Sequence, residues 1–303
     1  MDKIGIVYDG NRGKDWAISS FGEEFARMGV KVAFFDINFL GPHYDTRHEM
    51  GELELPQMKE FVDEGYKIWM NRVYPSESSQ REVNRCLNIF AWLGARNYGT
   101  INPLTACAAD YDKFFAYQLM RKYNVPTPET LRLTPETSIE SFLDHFSFPL
   151  IVKRSTGGKG RGVFMVEDLD AFQRLYEAYA SGEEFVVQRF VKPAGDYDIR
   201  LGVIDGEPLI CYGRKLVTLK GTNFRVGSVG QGSERIEHEM TGEESKLAVL
   251  ASNSLGADLN VVDIQLTEGG PVVIENNLTP GYSPGGGEKW VELIVNHLGR
   301  KYA

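Results

Sequence analysis

Cysteine and histidine are scarce in this chain. Its 303 residues include three cysteines, Cys86, Cys107 and Cys211, and five histidines. The odd number of cysteines, their wide spacing and the lack of a C-x-x-C pair argue against a disulfide framework and against a zinc knuckle. No two histidines stand at the spacing of metal ligands on a helix. We therefore expect the cysteines to be small buried core residues.

Long apolar runs and an excess of positive charge are also missing. No apolar segment approaches the ~20 residues of a membrane span, and no cationic leader precedes the first strand. We expect a cytoplasmic protein that does not contact the membrane. The chain has 33 Lys and Arg against 42 Asp and Glu, a formal net charge of −9, which argues against general nucleic-acid binding. With 42% hydrophobic residues, the composition is that of a folded protein.

Two familiar nucleotide-binding motifs are absent. A dehydrogenase-type dinucleotide site needs G-x-G-x-x-G after the first strand, and the glycines there, Gly10 and Gly13, have a different spacing. The P-loop motif G-x-x-x-x-G-K-[ST] is also missing, because Lys159 is followed by Gly160. These absences disfavour an NAD-dependent enzyme and a P-loop NTPase. Serine catalysis is not supported either, since no nucleophile elbow is recognisable.

Residues 1–105 alternate apolar strands with amphipathic helices. The predicted ranges are 4–8, 30–37 and 67–73 for strands, and 16–28 and 80–93 for helices. Gly29 and Gly94 are expected to end the two helices, and residues 38–56 to form a surface loop. This order predicts a parallel α/β domain of Rossmann-like type.

The rest of the chain predicts an α+β fold in two parts, residues 106–187 and residues 188–303. The predicted ranges are 148–153, 185–190, 199–204, 208–214, 261–266 and 271–276 for strands, and 112–123, 171–180 and 243–255 for helices. Short strands joined by short turns predict an antiparallel sheet in this half.

A cationic, glycine-rich segment follows the strand predicted at 148–153. The eleven residues from Lys153 to Val163 contain four glycines and four cations. Glycine lets backbone N–H groups approach a polyphosphate closely, and a neighbouring lysine neutralises its charge. A plain mobile hairpin is the alternative, but it needs only one or two glycines, so we favour phosphate binding.

Acidic residues stand inside two apolar strands near the C-terminus. At a period of two, Glu275 and Asn277 project to the same face, about 7 Å apart along the strand. Asp263 on the partner strand can meet them there. Hard oxygen ligands of this kind suit Mg²⁺ that is shared with substrate phosphates, and an ordinary exposed hairpin is the alternative.

Together these motifs resemble those of the ATP-grasp ligases, and within them the RimK-like branch. The resemblance covers about residues 66–290 and depends on the order and spacing of several segments. They are Asp112-Lys113, residues 125–128, residues 149–153, residues 157–163, residues 188–191, Asp198-Ile199-Arg200, Thr222-Asn223, Asp263 and residues 275–281. The resemblance implies a fold of class α/β and α+β: an ATP-grasp fold preceded by a Rossmann-like N-terminal domain.

The resemblance also implies a site for ATP with two Mg²⁺ ions, for which Mn²⁺ can substitute. The positions that match nucleotide-binding residues are Lys113, Lys153, Gly157, Gly158, Lys159, Gly160, Gln188, Phe190, Val191 and Asp198. In the family the two lysines reach the phosphates, the glycine segment closes as a lid, residues 188–191 border adenine, and the acidic residue meets the ribose. The positions that match metal ligands are Asp263, Glu275 and Asn277.

Other positions match residues around the reacting groups. Arg200, Arg214 and Asn223 correspond to positions near the transferred phosphate and the reacting carboxylate. The expected substrate-facing residues are Arg72, Arg225 and Gly281. Arg72 ends a predicted strand, where open α/β sheets bind ligands, and an ordinary surface arginine is the alternative.

The sequence departs from the family pattern at two places. Position 276 is usually apolar in the family and is Asn here, so either Asn276 or Asn277 could be the metal ligand. A period of two favours Asn277. The segment 221–228 lacks the family's usual run of residues, so the resemblance does not imply the identity of the substrate.

The activity that the resemblance implies is ATP-dependent carboxylate–amine ligation. A carboxylate attacks the γ-phosphate to give ADP and an acyl phosphate, and an amine then displaces phosphate to form an amide. The substrates would be an amino acid with a metabolite, a peptide or a carrier protein, in one addition or several.

A peptide-modifying ligase that joins side chains and a nucleotide sensor without turnover are the alternatives, and the intact metal-ligand positions disfavour the sensor. The oligomeric state stays open, with a homodimer and a homotetramer as the candidates.

Overall fold

The computed structural model describes most of the chain. The described residues are 1–12, 15–39, 56–76, 78–134, 146–157, 162–179, 184–218, 224–227, 231–282 and 287–301. Of the positions named above, Gly158, Lys159, Gly160 and Asn223 lie outside these ranges, as do residues 40–55 of the expected surface loop.

The N-terminal part is a four-stranded parallel sheet in the order β2-β1-β3-β4. Its strands are β1 (Lys3–Tyr8), β2 (Lys31–Asp36), β3 (Ile68–Asn71) and β4 (Gly99–Ile101). The accompanying helices are α1 (Trp16–Arg27), α2 (Pro56–Asp63) and α3 (Gln80–Ala95). The predicted parallel α/β arrangement is therefore confirmed.

Capping residues account for the limits of α1 and α3. The Asp15 carboxylate accepts the N–H of Ile18, and Ser79 forms a reciprocal capping box with Glu82. Gly29 follows α1 with a φ of 78°, a conformation that glycine adopts at little cost. The expectation that Gly94 ends α3 is wrong: the helix continues through it to Ala95.

The middle of the chain forms an antiparallel sheet of four strands in the order β5-β8-β6-β7. The strands are β5 (Thr130–Leu133), β6 (Leu150–Arg154), β7 (Val163–Val166) and β8 (Phe185–Arg189). The helices of this part are α4 (Leu104–Tyr111), α5 (Lys113–Lys122) and α6 (Leu169–Tyr179). Strand β8 crosses the expected limit at residue 187, and the domain limits remain predictions.

The C-terminal part is a five-stranded antiparallel sheet in the order β13-β10-β9-β14-β15. Its strands are β9 (Tyr197–Ile204), β10 (Glu207–Lys215), β13 (Arg235–Ile236), β14 (Leu259–Thr267) and β15 (Gly270–Asn277). A small pair, β11 (Val217–Thr218) and β12 (Arg225–Val226), lies beside it, and the helices are α7 (Gly242–Leu255) and α8 (Glu288–Lys301). The strands predicted in this half are present, and most extend one or two residues further.

The strand register aligns residues of neighbouring strands in three rows across one face of the five-stranded sheet, and the first two rows are polar. The first row is Arg235, Arg214 and Asp198. The second row is Tyr212, Arg200, Asp263 and Glu275. The third row is Gly202, Val261 and Asn277. Successive rows are two residues apart along the strands, so their side chains project to the same side.

Helix α8 and residue Asn102 join the C-terminal sheet to the N-terminal part. Apolar residues of α8, including Trp290 and Ile294, share one core cluster with Ile4 and Phe21. Asn102, which follows β4, donates to the carbonyls of Leu259 (2.8 Å) and Leu278 (3.0 Å) and accepts the N–H of Leu259 (2.7 Å). These bonds fix the ends of β14 and β15 against the parallel sheet.

The buried cysteines agree largely with expectation. Cys86 and Cys107 are buried, and Cys211 is half-buried. Among the helices that the structure describes, none is both long and apolar enough to cross a membrane.

Replacing Asn102 by Ala is expected to lower the free energy of unfolding by about 3 kcal/mol, because buried backbone groups of Leu259 and Leu278 lose their partners. Urea denaturation would measure the change. The control is Asn84→Ala, which removes an exposed side-chain bond to Gln80 on α3 and should cost less than about 0.5 kcal/mol. Equal effects of the two substitutions would contradict the role given to Asn102.

Candidate active site

Two adjoining cavities lie over the three-row face of the sheet. The smaller, of about 170 Å³, lies between the middle sheet and the C-terminal sheet. The larger, of about 490 Å³ and here called the chamber, also contacts the N-terminal part and α8. The residues that line both are Lys113, Arg200, Arg214, Glu275 and Asn277. The cavities therefore meet above the polar rows.

The smaller cavity contains most of the positions expected to bind the nucleotide. Those that line it are Lys113, Lys153, Gln188, Phe190, Val191 and Asp198. Phe190 and Phe224 meet edge to face with centroids 6.3 Å apart, and Ile151 and Ile274 add apolar surface. The Gln188 side chain reaches the neighbouring strand β5, where its Nε2 donates to Thr130 Oγ1 at 2.9 Å. An apolar slot with polar groups at one end suits a flat, polyanionic ligand.

Two lysines line the smaller cavity, the half-buried Lys113 and the buried Lys153, and Lys113 also lines the chamber. Lys113 begins α5, directly after its cap residue Asp112, and donates to the carbonyl oxygen of Gly157 at 2.6 Å. Lys153 on β6 is 7% exposed. Burial lowers the pKa of both ammonium groups, although the charge of Glu275 opposes this. An anionic ligand between them would relieve part of the cost of burying two cations.

Arginines and carboxylates alternate across the first and second rows. Arg200 donates through Nε and Nη2 to both oxygens of Asp263, at 2.8 Å each. Arg214 donates to both oxygens of Asp198, at 2.8 and 2.7 Å, and its Nη2 also lies 3.2 Å from Asp263 Oδ2. Burial acts to raise the pKa of Asp263, but the two guanidinium groups outweigh it and hold that pKa below its ordinary value. Asp263 is therefore ionised at neutral pH.

The three expected metal ligands lie on neighbouring strands. Asp263 pairs directly with Glu275 across β14 and β15, and Asn277 follows two residues later. Asn277 lines both cavities, whereas Asn276 lines the chamber alone and its side chain accepts from Asn260 Nδ2 at 2.7 Å. This geometry agrees with the period-two argument for Asn277, and the ligand assignment remains a prediction.

The donor set fits Mg²⁺ that is shared with a phosphate ligand. Two carboxylates and one amide oxygen are hard donors, and Mg²⁺ usually combines one or two protein carboxylates with phosphate oxygens and water. Within the described part of the chain, no cluster of three His, Cys, Asp or Glu residues could hold a metal alone. A site completed by phosphates is therefore the arrangement that these residues suit.

Arg72 is not a surface residue, so that alternative is wrong. Its side chain is 1% exposed, and its Nη2 donates to Tyr74 Oη at 2.6 Å and to the carbonyl of Pro280 at 2.8 Å. The guanidinium carbon lies 5.7 Å from the centroid of the Tyr282 ring. Tyr74, Pro280 and Tyr282 line the chamber, so Arg72 supports the chamber wall from behind.

The remaining expected substrate residues lie at separate places. Gly281 lines the chamber, and Arg225 lines the smaller cavity, where its Nη2 donates to the carbonyl of Leu216 at 3.3 Å. Gly157 also lines the chamber. The substrate roles of Arg72, Arg225 and Gly281 remain predictions.

Sequence reasoning missed several residues of the chamber wall. They are Asp15, Tyr74, Asp110, Tyr212, Tyr282 and Trp290. Tyr212 had a usable signal, because it stands two residues before Arg214 on the same strand face. No sequence signal marks Asp110, because an acidic residue in the last turn of a short helix is ordinarily solvated.

Replacing Asp110 by Asn is expected to stabilise the fold at neutral pH. Burial raises the pKa of this carboxyl from 3.8 to about 6, so the folded state binds its proton more tightly than the unfolded chain does. The ionised carboxylate therefore lowers the free energy of unfolding above about pH 6, and this loss disappears below about pH 4. Asp110→Asn should raise the free energy of unfolding by up to about 3 kcal/mol at pH 8 and change it little at pH 4.

Urea denaturation of both proteins at the two pH values would measure this difference. The exposed Asp2→Asn serves as the control and should change stability by less than about 0.5 kcal/mol at either pH. A gain from Asp110→Asn that is the same at pH 4 and pH 8 would contradict the raised pKa.

Comparisons with known proteins identify the family and the fold of the chain. The family model of the RimK-like ATP-grasp domain matches residues 110–288. A protein named "Probable alpha-L-glutamate ligase" from Parasynechococcus marenigrum (strain WH8102) is 30% identical over 212 residues, which cover 68% of this chain and 45% of that protein. The chain thus spans about half the length of this curated relative.

Two solved structures match nearly the whole chain. D-alanine–D-alanine ligase from Bacillus anthracis has a TM-score of 0.69 at 16% identity, covering 99% of this chain and 98% of that one. The RimK domain protein ATP-grasp from Sphaerobacter thermophilus DSM 20745 has a TM-score of 0.66 at 18% identity, covering 97% and 98%. These likenesses confirm the predicted fold. Because the family model covers more than half of the sequence, the chain belongs to the RimK-like ATP-grasp family.

Proposed function

We propose that this protein is an ATP-dependent carboxylate–amine ligase that releases ADP and phosphate and forms an amide bond. The observation that carries the proposal is the meeting of the two cavities above alternating arginines and carboxylates. A nucleotide in the smaller cavity would direct its terminal phosphate toward Lys113, Arg200 and Arg214. The chamber would hold the substrates on the other side of the same groups.

Each group at this junction has a physical role in the proposal. Lys113 and Lys153 would bind the phosphates, and the backbone of residues 188–191 would border the adenine. Asp263, Glu275 and Asn277 would hold two Mg²⁺ ions, or Mn²⁺ in their place. When bound, Mg²⁺ supplies positive charge that screens the terminal phosphates from an approaching carboxylate.

The reaction requires two anions to approach each other. A carboxylate oxygen attacks the γ-phosphorus as the bond to the ADP oxygen breaks, and the product is an acyl phosphate. Arg200 and Arg214 are held by Asp263 and Asp198, so they point into the junction without reorganisation. An amine then attacks the acyl carbon, the bond between that carbon and the oxygen bridging to phosphorus breaks, phosphate leaves with this oxygen, and the nitrogen loses a proton.

The substrates are an amino acid together with a metabolite, a peptide or a carrier protein. The name of the curated relative makes L-glutamate the first amine to test. The enzyme adds several residues only if the chamber can bind the product as a new substrate. A time course of product masses would show whether one residue or several are added.

Removing the metal-binding carboxylates is expected to abolish turnover without unfolding the protein. Glu275→Gln keeps the shape of the side chain but removes a charged ligand, so kcat should fall by about 100-fold or more and the required Mg²⁺ concentration should rise. Asp263→Asn should show the same loss of activity, but it also removes the charge that pairs with Arg200 and Arg214, so circular dichroism must show that this variant is folded. ADP release measured over a range of Mg²⁺ concentrations would test both variants.

The control for these variants is Glu268→Gln in the turn between β14 and β15. Glu268 is exposed and lines neither cavity, so its replacement should leave kcat and Mg²⁺ dependence unchanged. Activity of Glu275→Gln close to wild type at limiting Mg²⁺ would reject the metal assignment.

The acyl phosphate makes a prediction about product chemistry. With hydroxylamine in place of the amine, a carboxylate substrate should yield a hydroxamate in a one-to-one ratio with ADP. Label from a carboxylate containing ¹⁸O should appear in the released phosphate, because one carboxylate oxygen leaves with the phosphoryl group. Formation of AMP and pyrophosphate would contradict this mechanism even if an amide were formed.

A further inference from the structure

Five aromatic side chains line the chamber: Tyr74, Tyr117, Tyr212, Tyr282 and Trp290. Tyr117 is buried, whereas Tyr74, Tyr212 and Tyr282 are only half-buried although all three line the chamber. Aromatic surface left uncovered in a concave cavity is typical of a wall that receives an apolar part of a ligand. We therefore treat these aromatic residues as a surface for a ligand and not only as part of the hydrophobic core.

The register fixes where this wall lies relative to the chemistry. Tyr212 pairs directly with Arg200 in the second row. In the third row, Gly202 lacks a side chain, and the Trp290 ring lies on its backbone: a Cβ on Gly202 would stand 2.4 Å from Cζ3 of Trp290. The aromatic wall thus begins beside Arg200 and continues on the side away from the first row.

Three of the rings form a continuous surface. The centroids of Tyr212 and Trp290 are 6.5 Å apart at an interplanar angle of 89°, and those of Tyr282 and Trp290 are 5.6 Å apart at 38°. Arg72 lies behind Tyr282 and Tyr74 and holds them in place. The wall is consequently preorganised and needs no ligand to assemble it.

The charges around the wall disfavour an acidic side chain as its occupant. Asp15, Asp110 and Glu275 line the same chamber, Arg200 and Arg214 are already bonded to carboxylates, and Lys113 donates to the carbonyl oxygen of Gly157. Arg235 lies over the ring of Tyr212, with its guanidinium carbon 4.9 Å from the centroid. A second carboxylate on the substrate would therefore meet three acids, and three of the four cations that line the chamber already have partners.

We propose that the carboxylate substrate carries a planar, largely apolar ring, joined to the reacting carboxylate by a short linker. The ring packs against Tyr212 and Trp290 while the carboxylate lies at Arg200. This inference rests on the proposed ligase function and specifies the chemical class of one of its substrates.

Hydroxylamine trapping with matched carboxylates tests the proposal. The probes are 3-phenylpropanoate and L-phenylalanine for the ring class, and glutarate and L-glutamate for the acidic class, each with ATP and Mg²⁺. We expect kcat/KM for hydroxamate formation to be at least about 10-fold higher for the ring probes. A preference for glutarate or L-glutamate would overturn the substrate class and leave the ligase function standing.

Variants of Tyr212 test whether the ring lies where we place it. Tyr212→Leu removes the aromatic surface and should lower kcat/KM for the ring probes about 10-fold, with the KM for ATP changed less than about twofold. Tyr212→Phe keeps the ring and should behave like the wild type. The control, Tyr123→Leu, replaces an exposed tyrosine outside both cavities. Equal losses in Tyr212→Leu and Tyr212→Phe would overturn this placement.

Binding without turnover separates this inference from the proposed function. Ring probes should quench the fluorescence of Trp290, and Trp290→Phe, checked for folding by circular dichroism, should lose that response. Quenching by ring probes with no ADP release would support the substrate class and reject the ligase function. If ring probes cause neither quenching nor hydroxamate formation, the substrate class is rejected.

Discussion

The ion-pair network of Arg200, Arg214, Asp198 and Asp263 is the constraint on which the site depends. Two guanidinium groups and two carboxylates are bonded to one another at 2.7 to 2.8 Å across adjacent strands. Removing one partner from such a buried network costs about 3 to 5 kcal/mol, because the other charge stays uncompensated. The network therefore fixes the strand register and the direction of the arginines together.

The N-terminal part contributes to the chamber through few but buried contacts. Arg72 reaches from the end of β3 to the carbonyl of Pro280, and Asn102 bonds the ends of β14 and β15. Both residues connect segments far apart in sequence, so the chamber wall has a defined shape only when the parallel sheet is folded. Substrate binding and the stability of the interface between the parts are consequently linked.

The sequence predicted the parallel α/β arrangement, most strands, and the shared face of Glu275 and Asn277, because these follow from periodicity within single segments. It did not reveal that Asp198 and Asp263 bond to arginines, since that depends on the register between β9, β10 and β14. The burial of Arg72 could not be predicted either, because three of its partners, Phe21, Pro280 and Tyr282, are distant in sequence. Trp290 was also missed, because its ring contacts the backbone of Gly202 only once α8 packs on the sheet.

The distribution of residues over the fold separates chemistry from recognition. The rows of charged residues cross the five strands of one sheet, and the register between the strands fixes their positions. Apart from Tyr212, which belongs to the second row, the chamber wall comes mainly from the end of α4, the segment after β3, the residues after β15 and helix α8. The solved structures share the fold at only 16% to 18% identity, which is what this separation permits. Tyr74, Tyr282 and Trp290 lie on these elements and outside the rows of charged residues, so substrate choice in this chain is best sought there.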